Sequence, residues 1–239
     1  MNAPLPLKVT REVAGQAYDA IASATNEVAG RLAQRLASET QGEVLFSPAD
    51  RGRYATDASI YQVLPIGVFV PRSGEDVRLA LDIARDLGVP LVPRGGGTSQ
   101  CGQTVGAGLV IDHAKHVRKI LEVDAQRRTA VVEPGIVLDH LNLELKKLGL
   151  WYPVDVSTSA QATLGGMAGN NSCGSRSIAW GNMVHNVLGA QAWTSDGTLH
   201  EFGRLEASTG RARGIGLQVQ ALAEELAPDI DARWPKVLR

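Results

Sequence analysis

A chain of 239 residues is long enough to bury a full core in one or two domains. Its 24 Lys+Arg against 25 Asp+Glu leave a net charge of −1, which argues against a polyanionic partner such as nucleic acid. Hydrophobic content of 44% with 21% charged residues is ordinary for a soluble globular protein. The start, Met1 to Lys8, has neither the charged nor the apolar region of a signal peptide, and no apolar run approaches the ~18 residues of a membrane span. The two cysteines, Cys101 and Cys173, are too few for an iron–sulfur cluster or a four-cysteine zinc site. The expected location is the cytoplasm, including the inner face of the membrane as a peripheral site.

In chain order, Val13, Ala17, Ile21, Ala24, Val28, Leu32 and Leu36 recur at helical spacing, and Gly42 lies beyond them as a stop signal. Residues 47–57 form a polar connector with room for a short helix. Pro65 to Pro71 is a proline-bounded β-branched run, hence a strand. Ser73-Gly74-Glu75-Asp76 reads as a capping box opening a helix with Val77, Ala80, Leu81, Ala84 and Leu87 on one face; Gly88 and Pro90 close it. Leu91-Val92 then predicts a second strand, parallel to the first in a βαβ unit.

That strand runs into Pro93-Arg94-Gly95-Gly96-Gly97-Thr98-Ser99-Gln100-Cys101-Gly102. Glycines without Cβ atoms allow φ > 0 and close approach to a ligand, and successive N–H groups in such a loop make an anion-binding concavity. Thr98 and Ser99 can add donors; Arg94 can add charge or hold the loop from outside. Two common motifs fail on spacing. Counted from Gly95, the third glycine of a Rossmann fingerprint falls on Gln100. In the near-Walker run Gly97 to Thr104, Gln103 replaces the lysine. A ligand-free glycine turn remains the alternative on these residues alone.

Gly108 to Asp112 is a further strand. Val117–Val123 and Thr129–Glu133 flank a polar turn as a hairpin, and Leu138, Leu141, Leu145 and Leu148 mark a helix closed by Gly149. A second small-residue segment, Thr163 to Gly174, again permits close approach, and a helix starting near Thr163 would aim free N–H groups at an anion. Val187–Trp193 and Leu199–Phe202 form a hairpin around Asp196-Gly197. Residues 204–213 read as loop, followed by a last helix with Leu217, Ala221, Leu222 and Leu226 that Pro228 ends.

Val92 to Ser99 with Gly102-Gln103, Trp151–Asp155 through Ala162–Gly166 and Asn170–Gly174, and Gly181–Asn186 continuing to Gly197 together resemble the flavin domain of the vanillyl-alcohol oxidase / p-cresol methylhydroxylase superfamily. The branch they resemble is that of D-lactate, glycolate and D-2-hydroxyglutarate dehydrogenases. The resemblance implies an α+β fold of the PCMH type, with two α/β subdomains, one holding a small parallel sheet and one mainly antiparallel. It implies an N-terminal helical extension and connector over 1–59, the FAD-binding domain over 60–205, and a helical segment over 206–239 that is truncated before a cap domain. It further implies FAD, held non-covalently, with Pro93, Arg94, Gly95, Gly96, Gly97, Thr98, Ser99, Gly102 and Gln103 around the pyrophosphate. Asp155, Thr158, Thr163, Gly165, Gly166, Asn170 and Ser172 would line the rest of the cofactor. No catalytic residue and no metal ligand is assigned: His113, His116, His140, His185 and His200 lack metal spacing.

The activity implied is hydride transfer from C2 of a D-2-hydroxy acid to flavin N5. The substrate would be held by the missing cap domain, an electron acceptor is required, and an iron–sulfur cluster belongs only to a missing C-terminal part. The alternatives are a non-catalytic flavin-binding or subunit module, and an NADPH-dependent reductase of the same superfamily.

Overall fold

The computed structural model describes residues 26–206 and 208–235. Val13, Ala17, Ile21 and Ala24 of the first predicted helix lie outside these residues. Its described part is α1, over residues 26–39, which buries Leu32 and Leu36 completely. Then come β1 (Glu43–Leu45), α2 (Pro48–Arg53), β2 (Gly67–Val70), α3 (Gly74–Asp86), β3 (Leu91–Arg94) and β4 (Leu109–Asp112).

The four strands form one sheet in the order β1-β2-β4-β3, with β1 antiparallel to β2 and the other neighbours parallel. The βαβ unit is present, but β4 is inserted between its two strands. Alternation along the strands sorts the two faces. Phe69, Leu109 and Ile111 pack beneath α1 and α3 against Leu32, Leu36, Ala80 and Ile83. Val68, Val70 and Val110 face the other way, towards Tyr54 and Val92. Ser73 caps α3 by accepting the Asp76 N–H at 3.2 Å. The reciprocal arm of the predicted capping box goes elsewhere: the Asp76 carboxylate accepts from the N–H groups of Arg72 (2.8 Å) and Gln41 (2.9 Å), joining the start of α3 to the end of α1.

A second core follows. The antiparallel hairpin β5 (Ile120–Asp124) and β6 (Thr129–Val132) carries a bulge beside Leu121. Next are α4 (Leu138–Lys146), α5 (Leu164–Gly169), and the single turns α6 (Ser177–Trp180) and α7 (Met183–Asn186). Ile136, Leu138, Leu141, Leu145, Val154, Met167 and Met183 close this core. The hairpin β7 (Ala190–Trp193) and β8 (Leu199–Phe202) returns to the first unit: its Asp-Gly turn has Gly197 at φ +82°, and Arg85 of α3 donates to the Asp196 carbonyl at 2.6 Å.

The last helix, α8 (Gly210–Arg233), begins inside the stretch expected to be loop and runs through Pro228, so both predicted boundaries are corrected. Proline removes one N–H and leaves the Glu224 carbonyl without an intrahelical partner. From Leu217 onward α8 is exposed, so water can take that carbonyl.

Candidate functional site

The two glycine-rich segments meet. A Cβ added to Gly95 would lie 2.1 Å from Thr163 Oγ1, and one added to Gly96 would lie 2.1 Å from the Gln161 carbonyl oxygen. Ordinary contact begins near 3.4 Å, so only bare backbone allows the two ribbons this close. The loop leaves the carboxyl end of β3, a parallel strand, where open α/β sheets commonly present ligand-binding loops. Pro93 sits in β3 without disturbing the ladder, because β3 is an edge strand.

Arg94 reaches neither outward nor across. Its guanidinium donates to the carbonyls of Thr56 (2.8 Å), Thr104 (3.2 Å) and Tyr54 (3.4 Å) and lies 5.3 Å from the Tyr54 ring centroid. Gly97, at φ +65°, packs so tightly on it that a Cβ would stand 2.7 Å from Nη2. Of the two roles open to Arg94, the geometry selects holding the loop from behind. Residues 54–61 complete that brace. The Ala58 N–H donates to the Gly97 carbonyl at 3.1 Å, and the Tyr61 ring covers Gly102. Asp57 accepts from the Thr104 hydroxyl (2.9 Å) and the Ser59 N–H (2.8 Å). Burial pushes its carboxyl up, but these hydrogen bonds outweigh it and hold the pKa below the usual range. Tyr54 in turn donates to Asp112 at 2.7 Å, at the end of β4.

The front of the loop is different. Ser99 Oγ accepts from the N–H groups of Cys101 (3.1 Å) and Gln103 (3.4 Å) and donates to the Gln103 side chain at 2.9 Å. That fixes the return from Thr98 to Gln103. Among the described residues, no acceptor is bonded to the N–H groups of Gly95, Gly96, Gly97, Thr98, Ser99 or Gln100. These are the donors an anion would need.

The second segment corrects one expectation. Thr163 is buried and caps α5, but the first-turn amides are already used: Leu164 donates to Ile136, Gly165 to Pro134, Gly166 to Thr163 Oγ1 and Met167 to the Thr163 carbonyl. The start of α5 is therefore no free anion site. It is a wall, held by the bridge between Val137 and Thr163 and by Gly165 pressed on Pro134. The Thr158 carbonyl accepts from Gln161 and Ala162 and shapes the turn that offers the Gln161 oxygen to Gly96.

At the other end of α5, Asn170 is the C-cap and Asn171 adopts φ +46°, its side chain accepting from the Val184 N–H at 3.0 Å. The Ser172 N–H closes on the Met167 carbonyl. Asp155 accepts from the Ser175 hydroxyl (2.9 Å) and the Arg176 N–H (3.2 Å), with Gly174 so close that a Cβ would sit 2.0 Å from its Oδ1. Desolvation raises the Asp155 pKa, but the Arg176 and Ser175 hydrogen bonds prevail and keep it low. Arg176 lies over Trp151, which meets Trp180 edge to face at 6.0 Å.

Sequence reasoning missed Tyr54, Asp57 and Thr104, which lie in or bond to the 47–57 stretch that reads as a polar connector, and Tyr61 just beyond it. It also missed the Gln161 carbonyl. All five act through long-range contacts that leave no local signal. Cys101 and Cys173 are free and exposed, and the described residues contain no cluster of three or more metal-ligating side chains.

Six unpaired amides on a braced glycine loop, pressed against the buried start of a second unit, make an arrangement suited to the phosphates of a nucleotide cofactor. In particular, the chain belongs to the FAD-binding domain family, whose model matches residues 65–203. It is 40% identical over 154 residues to D-2-hydroxyglutarate dehydrogenase of Pantoea ananatis, covering 63% of this chain and 15% of that protein. It is 34% identical over 166 residues to glycolate oxidase subunit GlcD of Bacillus subtilis, covering 67% of this chain and 35% of that one. A solved structure, wild-type BBE-like 1 of Physcomitrella patens, superposes with a TM-score of 0.63 at 23% identity over 74% of this chain and 38% of that one. The fold is the PCMH-type FAD-binding fold, with a small mixed sheet and antiparallel hairpins. The chain spans well under half the length of these relatives.

The residues fit FAD. A diphosphate needs clustered donors and close backbone approach, and the Gly95–Gln100 loop provides both.

Proposed function

We propose that the chain is the FAD-binding module of a dehydrogenase that oxidises a D-2-hydroxy acid of the D-2-hydroxyglutarate, D-lactate or glycolate class. The observation that carries the reading is the junction of Gly95-Gly96 with Gln161–Thr163 beneath six unpaired amides. When bound, FAD supplies a two-electron acceptor for hydride from C2 of the hydroxy acid. The amides of Gly95 to Ser99, with Gly102, hold the diphosphate, while Gln103, its own N–H bonded to Ser99 Oγ, lines the loop. Asp155, Thr158, Thr163, Gly165, Gly166, Asn170 and Ser172 shape the wall along the rest of the cofactor. Gly165 and Gly166 give close approach there rather than free donors. Thr98 carries neither an imidazole nor a thiol for covalent attachment, which supports dissociable FAD, with Cys101 and Cys173 as the free thiols of the two segments.

In this reading residues 60–205 are the flavin domain, flanked by an extension over 1–59 and a helical segment over 206–239. The groups that bind substrate and take its hydroxyl proton belong to polypeptide the relatives have beyond the shared part. Support comes from the names and partial coverage of those relatives. Titration of the protein with FAD, followed by flavin fluorescence, tests the binding half: saturable one-to-one quenching is expected, and its absence contradicts the reading. Anaerobic addition of D-2-hydroxyglutarate, D-lactate or glycolate should bleach the bound flavin slowly or not at all. Rapid bleaching by NADPH, with no response to any hydroxy acid, would move the chain to the reductase branch.

A further inference from the structure

Resting on the FAD-binding reading, we propose that Tyr61 is an aromatic platform at the downstream end of the glycine loop, on which a flat ring of the cofactor stacks. That ring is its isoalloxazine or its adenine. A tight excursion of the chain delivers Tyr61 there: Thr56 bridges to Gln62, and the Val63 N–H donates to the Ala55 carbonyl at 2.9 Å. The tip is fixed by two side chains. Asp57 accepts from the Ser59 N–H at 2.8 Å, and Ser59 Oγ accepts from the Tyr61 N–H at 3.1 Å. The Tyr61 ring touches Gly102, whose φ of +72° and missing side chain make room for it; a Cβ there would stand 2.6 Å from Cδ2. The ring nevertheless stays 54% exposed, and the adjacent Ile60 is 95% exposed. Aromatic surface is ordinarily spent on a core. Here it is anchored on one side and left open to solvent beside unpaired phosphate donors. Gly102 follows Gln100, the last of those donors, by two residues, which span at most about 7 Å. A ring joined to the diphosphate through a ribose or a ribityl chain lies within such a reach. Fixed aromatic side chains accept flat heterocycles by offset stacking, whatever the heterocycle's edge groups.

Dissociation constants for FAD, FMN and ADP are measured for wild type, Tyr61→Phe and Tyr61→Ala, with absorption spectra of bound FAD in the flavin and adenine bands. Tyr61→Phe keeps the ring and should match wild type throughout. Tyr61→Ala should weaken FAD by about 5- to 150-fold, as loss of one stacked ring implies. If the stacked ring is isoalloxazine, FMN weakens with FAD, ADP does not, and the flavin bands differ between wild type and the alanine variant. If it is adenine, ADP weakens with FAD, FMN does not, and the difference falls in the adenine band.

Equal losses for all three ligands would make Tyr61 a support for the loop alone, and unchanged affinities would remove it from the site. Either result overturns the inference while leaving FAD binding intact. Where FMN and ADP bind too weakly to measure, the spectra of bound FAD decide: no difference from wild type in either band overturns it. Should Tyr61→Ala fail to fold, Tyr61→Leu, which still covers Gly102 but has no π face, carries the same comparison. A wild type that binds no FAD would overturn the FAD reading itself.

Discussion

Replacing Gly96 by alanine probes the junction at its tightest backbone contact. The added Cβ would stand 2.1 Å from the Gln161 carbonyl oxygen, about 1.3 Å inside ordinary contact. Gly96 does not have a positive φ, so the cost is steric and not conformational. A backbone carbonyl cannot rotate away as a side chain can; either the loop or the Thr158–Thr163 turn must move. Overpacking of this kind costs about 1–3 kcal/mol. In a chain of this length that lowers Tm by a few degrees, at ~2–4 °C per kcal/mol. If the displaced loop no longer aims its amides, FAD affinity falls by roughly 5- to 100-fold, a factor of ten for about every 1.4 kcal/mol. Gly52→Ala is the control, since a Cβ there meets nothing within 4 Å. Differential scanning calorimetry and FAD titration of both variants decide the matter. Gly96→Ala with the control's Tm and the control's FAD affinity would refute the junction.

Phe69→Ala removes a fully buried ring from beneath α1 and α3 and is expected to cost about 3–5 kcal/mol in urea denaturation; a loss below ~1 kcal/mol would show that this face is not packed as described. Glu43 accepts from Lys115 and His116, both at 2.7 Å, and these bonds outweigh desolvation to hold its pKa at about 2. A carboxylate lowered on folding stabilises above its unfolded pKa, near ~4.3, and that contribution is lost as pH falls towards the folded value. Glu43→Gln should therefore lower the urea midpoint at about pH 7, with the gap closing near about pH 2; an equal gap at both would contradict the ion cluster. Pro228→Ala restores one helical N–H and should raise far-ultraviolet helicity and slow amide exchange over α8, by up to ~3 kcal/mol locally. Unchanged exchange would mean that α8 is not continuous through residue 228.

Much of the fold was legible because periodicity is local. The stripe Val77–Leu87, the leucines of α4 and the two hairpins announce themselves within a dozen residues. β1 does not: three residues, Glu43–Leu45, become a strand only because β2 offers an edge. The insertion of β4 between β2 and β3 is likewise a pairing choice that chain order does not reveal. At the site, the paucity of side chains in Gly95–Gly97 and in the segment from Thr163 to Gly174 was plain; the two meet only at the start of the second, where Gly95 and Gly96 press on Gln161 to Thr163. What the local pattern could not show was how donors are spent. The amides at the start of α5 look free in sequence, yet Pro134 and Ile136 consume two of them from across the second unit. Arg94 looked like a phosphate ligand or a brace, and only the carbonyls of residues 54–56 decide between the two.

Amide hydrogen exchange with and without FAD reads the central claim most directly, because it observes the backbone donors themselves. FAD should slow exchange at Gly95 to Gln100 and, in the same titration, at the Thr158–Ser172 wall. Protection of one segment without the other, or of neither, would contradict a cofactor cradle made jointly by both.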